Sequence, residues 1–309
     1  PTGVMFMTVT PTNATVMNMT PVGPVPTAQY QFALAPLDEN EFSCVIAAGN
    51  IEDLAGNAST AASNTISRIF DATAPTAGTV TSDAGAYTVD STQLAFSWSG
   101  FEDLGSGIQR YDVALGTSSS PEAYEVYTDV GLAESRVFTN GPYADGEYLC
   151  SVRCFDNSGR FTTSTGTVSV DTQGPAVQSI ALAGDPYTNA ASVQFTVTFD
   201  EAVTGVDLDG PFEDFAVVTS DKAVSGAAVV ATSGSGATYT VTVSTGTGDG
   251  TLGLKVVDND TVADEAGNPL GGPGAGNGDY TGPAVFHVDR TAPGVSIGEP
   301  SKEDRKSVV

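Results

Sequence analysis

The 309-residue chain is short of cysteine, histidine, tryptophan and basic side chains, and each shortage removes a class of function. Its three cysteines, Cys44, Cys150 and Cys154, are too few and odd in number for a disulfide framework. Cys150 and Cys154 stand four apart in one alternating stretch, where extended backbone separates their Cα atoms by roughly 13 Å, beyond disulfide reach. They read as small buried hydrophobes. The single histidine, His287, sits between Phe286 and Val288 and so takes the opposite, solvent face of a strand; no partners stand near it for a zinc site or a hydrolase triad. Lys and Arg number 11 against 37 Asp and Glu, a net charge of −26. Nucleic acid is therefore excluded as a partner, because phosphate binding needs clustered cations that release counterions. There is no signal peptide, no apolar run long enough to span a bilayer and no helical periodicity. Any membrane association belongs to parts outside this segment.

What the chain does hold is short-strand material. It is 40% hydrophobic and 16% charged, with 35 Gly and 17 Pro. Frequent Thr, Val and Ser between Gly- and Pro-rich breaks favour many short strands. Three times an acidic residue is followed, after a short spacer, by proline: Asp71-Ala-Thr-Ala-Pro75, Asp171-Thr-Gln-Gly-Pro175 and Asp289-Arg-Thr-Ala-Pro293. Each acid closes a β-rich stretch (Ile66 to Phe70, Thr167 to Val170, Ala284 to Val288). The proline fixes its own φ and holds the residue before it extended, which makes a stiff joint. The joints predict an all-β protein of tandem sandwiches of about 100 residues in an elongated array, divided as 1–74, 75–174, 175–292 and 293–309.

In the second division Leu94, Phe96 and Trp98 alternate, followed by Ile108, Tyr111 and Val113, then by Gly146-Glu-Tyr148-Leu-Cys150-Ser-Val152-Arg-Cys154-Phe-Asp156-Asn-Ser-Gly159. An early Trp with this late Tyr-x-x-x-Val-x-small-x-Asp-x-x-Gly pattern resembles a fibronectin type III domain. That resemblance implies that Trp98 is the core aromatic, Tyr148 the tyrosine-corner residue and Cys154 a small core residue. In the third division Val193-Gln-Phe195-Thr-Val197-Thr-Phe199-Asp200-Glu-Ala-Val-Thr-Gly205, Tyr239-Thr-Val241-Thr-Val243, Leu252-Gly-Leu254-Lys-Val256 and Asp264-Glu-Ala-Gly267-Asn268-Pro269 follow one another. This order resembles the bacterial-type immunoglobulin-like repeats of very long surface proteins. Residues 1–74 carry the tail of that pattern, Tyr30-Gln-Phe32-Ala-Leu34, Phe42-Ser-Cys44-Val-Ile46 and Asp53-Leu-Ala-Gly56-Asn57, without the opening hairpin. They read as a partial immunoglobulin-like domain without its N-terminal strands, and Gly294-Val-Ser-Ile297 reads as the first strand of a further domain.

Calcium takes several oxygen ligands from carboxylates, amides and carbonyls, and the joints offer them. At the first joint the candidates are Asp53, Asn57 and Asp71, with Asp103 or Asp156 added from the following domain; at the third they are Asp258, Asp260, Asp264, Asn268 and Asp289. The likeness to cadherin-like and adhesin joints implies that calcium stiffens the linkers. Asp258-Asn-Asp260 is not an EF-hand loop, since Ala263 stands where the sixth-position Gly is required. The competing reading is that these acids and amides are turn formers bonded to local backbone. Four sequons, at Asn13, Asn18, Asn57 and Asn259, are candidate glycosylation sites in a secreted protein. Gly248-Asp-Gly250-Thr-Leu-Gly253 matches a dinucleotide glycine pattern but continues as a strand, so it is a turn. Asp200-Glu201 and Asp207-Asp209 read as solvated turns, not glycosidase acids.

The chain is accordingly expected to be a non-enzymatic structural segment of a long extracellular or cell-surface fibre, an adhesin stalk or a flagellar hair of mastigoneme type, partnered by neighbouring domains or chains of the same fibre. Two alternatives remain. One is a carbohydrate- or protein-binding adhesin domain, with Tyr124, Tyr127 and Tyr143 as its aromatic patch. The other is a spacer module of a secreted polysaccharide-active enzyme.

Overall fold

The computed structural model describes residues 4–22, 30–53, 55–219 and 224–297, and these hold strands and turns without helix. The chain divides into two compact units, Pro1–Val170 and Asp171–Val309. The division falls at Val170 instead of the expected Gly174, because Asp171 and Gly174 pack against residues of the second unit. The expected boundary at 74/75 lies inside the first unit.

The first unit opens with seven strands: β1 Val4–Met7, β2 Thr10–Thr12, β3 Ala14–Pro21, β4 Tyr30–Pro36, β5 Glu41–Val45, β6 Ile51–Asp53 and β7 Ile66–Ile69. They pair as β1-β6, β2-β5-β7 and β3-β4. β1 to β3 were not legible as strands in the sequence, where Thr, Pro, Asn and Met give no period-two pattern. Among the described residues of this stretch only Val9, Ala14 and Cys44 are buried hydrophobics, while Ile66 and Ile69 of β7 and the following Phe70 stay exposed.

Eight strands complete the unit: β8 Thr79–Ser82, β9 Tyr87–Thr88, β10 Leu94–Ser99, β11 Ile108–Thr117, β12 Ser120–Asp129, β13 Ser135–Phe138, β14 Gly146–Asp156 and β15 Phe161–Val170. The sheets run β13-β10-β8 and β12-β11-β14-β15-β9. Alternation decides which side chains meet: Leu94, Phe96 and Trp98 of β10 enter one core with Tyr111, Val113 and Leu115 of β11 and Tyr148, Cys150, Val152 and Cys154 of β14. The rings interlock edge to face, Trp98 on Tyr111 at 5.9 Å and Phe96 on Phe138 at 6.2 Å.

The second unit contains β16 Val177–Leu182, β17 Tyr187–Thr188, β18 Ser192–Val203, β19 Phe215–Thr219, β20 Ala228–Ser244, β21 Gly250–Val256, β22 Tyr280–Thr281 and β23 Phe286–Val288. Its sheets are β16-β18-β20 and β17-β23-β21-β19, with β22 also on β21. The alternating residues read from the sequence, Val193 to Phe199, Tyr239 to Val243 and Leu252 to Val256, converge in its core. Leu252 and Leu254 lie in β21, so the Gly248–Gly253 stretch is a turn entering a strand. His287 is exposed on β23 and stacks on Tyr187 at 4.9 Å.

Both units use one device at the exit. The short strand β9, Tyr87–Thr88, runs parallel to the end of β15 at Ser169 and Val170; β17, Tyr187–Thr188, runs parallel to β23 at His287 and Val288. The last strand in each case delivers a joint acid, Asp171 or Asp289. Gly294 to Ile297, expected as a strand, have no strand partner among the described residues and leave Val295 and Ile297 exposed. An apolar segment needs a neighbouring strand to become one. The rest of 293–309 lies outside the described residues.

Candidate metal centre

Three turns of one design carry the acids. In Asp53-Leu-Ala-Gly56-Asn57 the Asp53 backbone N–H donates to the Asn57 carbonyl at 3.0 Å and that of Gly56 to the Asp53 carbonyl at 3.0 Å, with Gly56 at φ 84°. Asp264 to Asn268 repeats these bonds, with Gly267 at φ 92°. So does Asp156 to Arg160, with Gly159 at φ 91°. Glycine occupies the fourth place because a Cβ disfavours that left-handed conformation. The first-place carboxylate then accepts from the fifth backbone N–H: Asp53 Oδ1 from Asn57 at 2.9 Å, Asp156 Oδ1 from Arg160 at 2.9 Å and Asp264 Oδ1 from Asn268 at 2.9 Å.

The turns differ at the second carboxylate oxygen. Asn57 Nδ2 donates to Asp53 Oδ2 and Asn268 Nδ2 to Asp264 Oδ2, both at 2.9 Å. Arg160 replaces the asparagine in the third turn, and its guanidinium turns away to donate to the Asp71 carbonyl at 2.6 Å. Asp156, fully buried, is left with Oδ2 unpartnered. Asn268 makes the matching reach, Nδ2 to the Asp171 carbonyl at 3.0 Å. Arg160 and Asn268 thus each fasten the joint acid that precedes their own domain.

Asp71 is 3% exposed. Its Oδ1 accepts from Thr73 N–H at 3.0 Å, and its Oδ2 from the Ser106 hydroxyl at 2.5 Å and the Ser106 N–H at 3.0 Å. The Ser106 hydroxyl, opposed by burial and joined by these N–H groups and the Arg160 charge, holds its carboxyl below the usual value. A Cβ on Gly105 would stand 2.6 Å from the Asp71 carboxyl carbon, so this close wrap of the loop requires glycine. Asp103, which accepts from Gly107 N–H at 2.5 Å, completes a group: one oxygen each from Asp71, Asp103 and Asp156 lie within 4.8 Å of one another. A second group, Asp171, Glu201 and Asp264, meets the same limit. Burial, followed by the charges of Asp264, Asp171 and Asp200, pushes the Glu201 carboxyl up.

The expected calcium ligands are therefore redistributed. Asp71 meets both Asp103 and Asp156, whereas Asp53 and Asn57 form a turn of their own. Asp264 and Asn268 close on Asp171, the joint acid before their domain, and are not grouped with Asp289, whose Oδ1 accepts from Thr291 N–H. Asp258 Oδ1 and Oδ2 accept from Asp260 and Gly278 N–H, and Asp260 accepts from Gly274 N–H, as turn formers do. Glu201 was passed over in the sequence as a solvated turn acid; it lies in β18, two residues beyond the core residue Phe199. Of the sequons, Asn18 and Asn57 are exposed, Asn13 is half-buried with Nδ2 on Asp38 at 2.6 Å, and Asn259 Oδ1 accepts from Thr261 N–H. The tyrosines do not form the expected trio. Tyr124 and Tyr143 both pack on Tyr148, while Tyr127 lies under Arg153 and bonds Ser151.

The Tyr148 hydroxyl donates to the Ala144 carbonyl at 2.9 Å, the tyrosine-corner bond, in a domain whose sheets are β8-β10-β13 and β12-β11-β14-β15. Each of the two large cores is closed between two sheets, the sandwich arrangement of immunoglobulin-like and fibronectin type III-like folds. No known protein-family profile matches the chain. Among curated proteins it is similar to Exoglucanase B of Cellulomonas fimi, 30% identical over 165 residues, which is 50% of this chain and 14% of that protein. Solved structures similar to these sandwiches include a tetra-tandem repeat from the extending region of a large adhesion protein (19% identity, 90% of this chain and 68% of that one, TM-score 0.30). The fibronectin(III)-like modules of Clostridium thermocellum CbhA are another (15% identity, 71% and 100%, TM-score 0.28).

Proposed function

We propose that these sandwiches are a non-enzymatic structural segment of a long extracellular fibrous protein, forming a stalk or packing into a cell-surface filament of adhesin-fibre or flagellar-hair type. One observation carries the reading: two of the three joint acids are bonded by the turn of the domain they lead into, Asp71 by Arg160 and Asp171 by Asn268. Such fastening limits rotation at the joint, so length follows from repeat number. Calcium at the joint acids is part of the proposal, since hard divalent cations take carboxylate oxygens. Neighbouring domains or chains of the same fibre are the proposed partners, with the exposed Ile66, Ile69 and Phe70 as the surface they cover.

The test is single-molecule stretching of the chain. The expected record shows discrete unfolding steps, each releasing on the order of 350 Å for a sandwich of about 100 residues. Smooth extension without steps, or hydrolysis of a polysaccharide by this chain, would sink the reading.

A second reading, a spacer in a secreted polysaccharide-active enzyme, is favoured by the 30% identity to an exoglucanase over 165 residues. Reading the coding sequence on either side decides between them. A glycoside hydrolase domain in the same frame supports the spacer, and further sandwich repeats alone support the fibre.

A further inference from the structure

The three related turns act as internal controls on one another. Where the fifth residue is asparagine, its amide fills the second oxygen of the turn aspartate. Where it is Arg160, that oxygen is buried and has no donor. Leaving a fully buried carboxylate oxygen without a partner is costly, and the cost is greater beside two other carboxylates. Arg160 does not relieve it, because its Nη1 is used on the Asp71 carbonyl and on Ser158 Oγ. The empty position therefore calls for a positive partner.

We propose that Asp71, Asp103 and Asp156 form a calcium site at the entrance of the fibronectin type III-like domain, with Asp156 Oδ2 as the ligand left free for the ion. The proposal rests on the reading of the chain as a jointed segment and names the joint at which metal acts. The three oxygens lie within 4.8 Å of one another, inside the roughly 5 Å across which two ligands face each other over calcium. The ligands come from three places: Asp71 from the joint, Asp103 from the loop between β10 and β11, and Asp156 from the end of β14. An ion there ties the joint to two loops of the domain it enters. The Asp171, Glu201 and Asp264 group carries no such proposal, because Asn268 already occupies Asp264 Oδ2.

The test is calorimetric unfolding of the full chain after chelation, with and without 1 mM calcium or magnesium (~1 mM, well above a sensor-class Kd). Calcium is expected to raise the melting temperature of the first unit by on the order of 5 °C, with magnesium doing less. Asp156→Asn is expected to abolish the shift. Arg160→Asn, which restores the amide found in the sister turns and keeps all three carboxylates, is expected to fold and to blunt it. No calcium shift in the unsubstituted chain, or an undiminished shift in Arg160→Asn, overturns the proposal. So does a chelated chain that acid stabilises as much as calcium would, since the aspartates then share a proton. None of these results bears on the stepwise unfolding that tests the fibre reading, so the two fail separately. If Asp156→Asn does not fold, Arg160→Asn decides.

Discussion

At the scale of single residues, hydrogen bonds and burial set the chemistry of the side chains. The Cys150 thiol is pushed up to about 12 and Cys154 to about 11, each chiefly by burial. Since the thiolate is the nucleophile, iodoacetamide at neutral pH is expected to leave both unmodified in the native chain and to label them once it is denatured. Mass spectrometry showing native labelling at either would contradict their burial. Asp249 behaves oppositely: the Thr291 hydroxyl, then the Arg290 N–H, hold its carboxyl below the usual value. A lowered folded-state value means that its stabilising contribution is present above the unfolded value near ~3.9 and is lost as pH falls through the folded value. Asp249→Asn is expected to make unfolding of the second unit less dependent on pH between about 5 and 2. An unchanged acid limb would show that those bonds form equally in the unfolded chain.

At the scale of elements, corners and turns hold strands in place more than strand propensity does. Tyr148 anchors the loop before β14 through one bond to Ala144 and two ring contacts. Tyr148→Phe keeps the rings and is expected to cost about 1 kcal/mol in chemical denaturation, with the midpoint moving at constant slope. The turn glycines allow a cleaner measurement. A Cβ on Gly267 meets nothing within 4 Å, and its φ is 92°, so Gly267→Ala isolates backbone strain, expected at about 1–2 kcal/mol. A much larger loss would mean that the Asp171 and Asn268 latch breaks with the turn. The difference between the turns lies in one side chain, Asn or Arg at the fifth place, and no strand-level pattern announces it.

At the scale of the whole molecule, the domains follow one plan with different interiors. In both the middle domain and the second unit a two-residue Tyr-Thr strand runs parallel to the last strand, which then hands the chain to a joint acid. The two large cores are built from separate residue sets, Leu94 to Val170 with Val80 in one and Ile180 to Val288 in the other. Each therefore has its own driving force for folding. Phe195→Ala, at a fully buried ring edge-on to Phe286, is expected to cost about 3–5 kcal/mol. In a two-transition melt only the second unit is expected to move. Equal loss in both transitions would mean that the units fold as one.

The sequence by itself determined the class of fold, the strands with clear alternation and the excess of carboxylate. Those signals are local: side chains alternate across a strand with period two, and proline fixes φ wherever it stands. Only the tertiary structure decided which acids meet. Asn268 reaches the carbonyl of Asp171, 97 positions earlier, and Asp71 is met by loops from the far ends of two strands. Sandwich connections bring such distant segments to one end of the domain, and spacing along the chain does not reveal which end a loop will occupy. For the same reason Asp289, expected beside Asp264 at the third joint, is not grouped with it. Glu201, read from the sequence as a solvated turn acid, joins Asp171 and the buried Asp264.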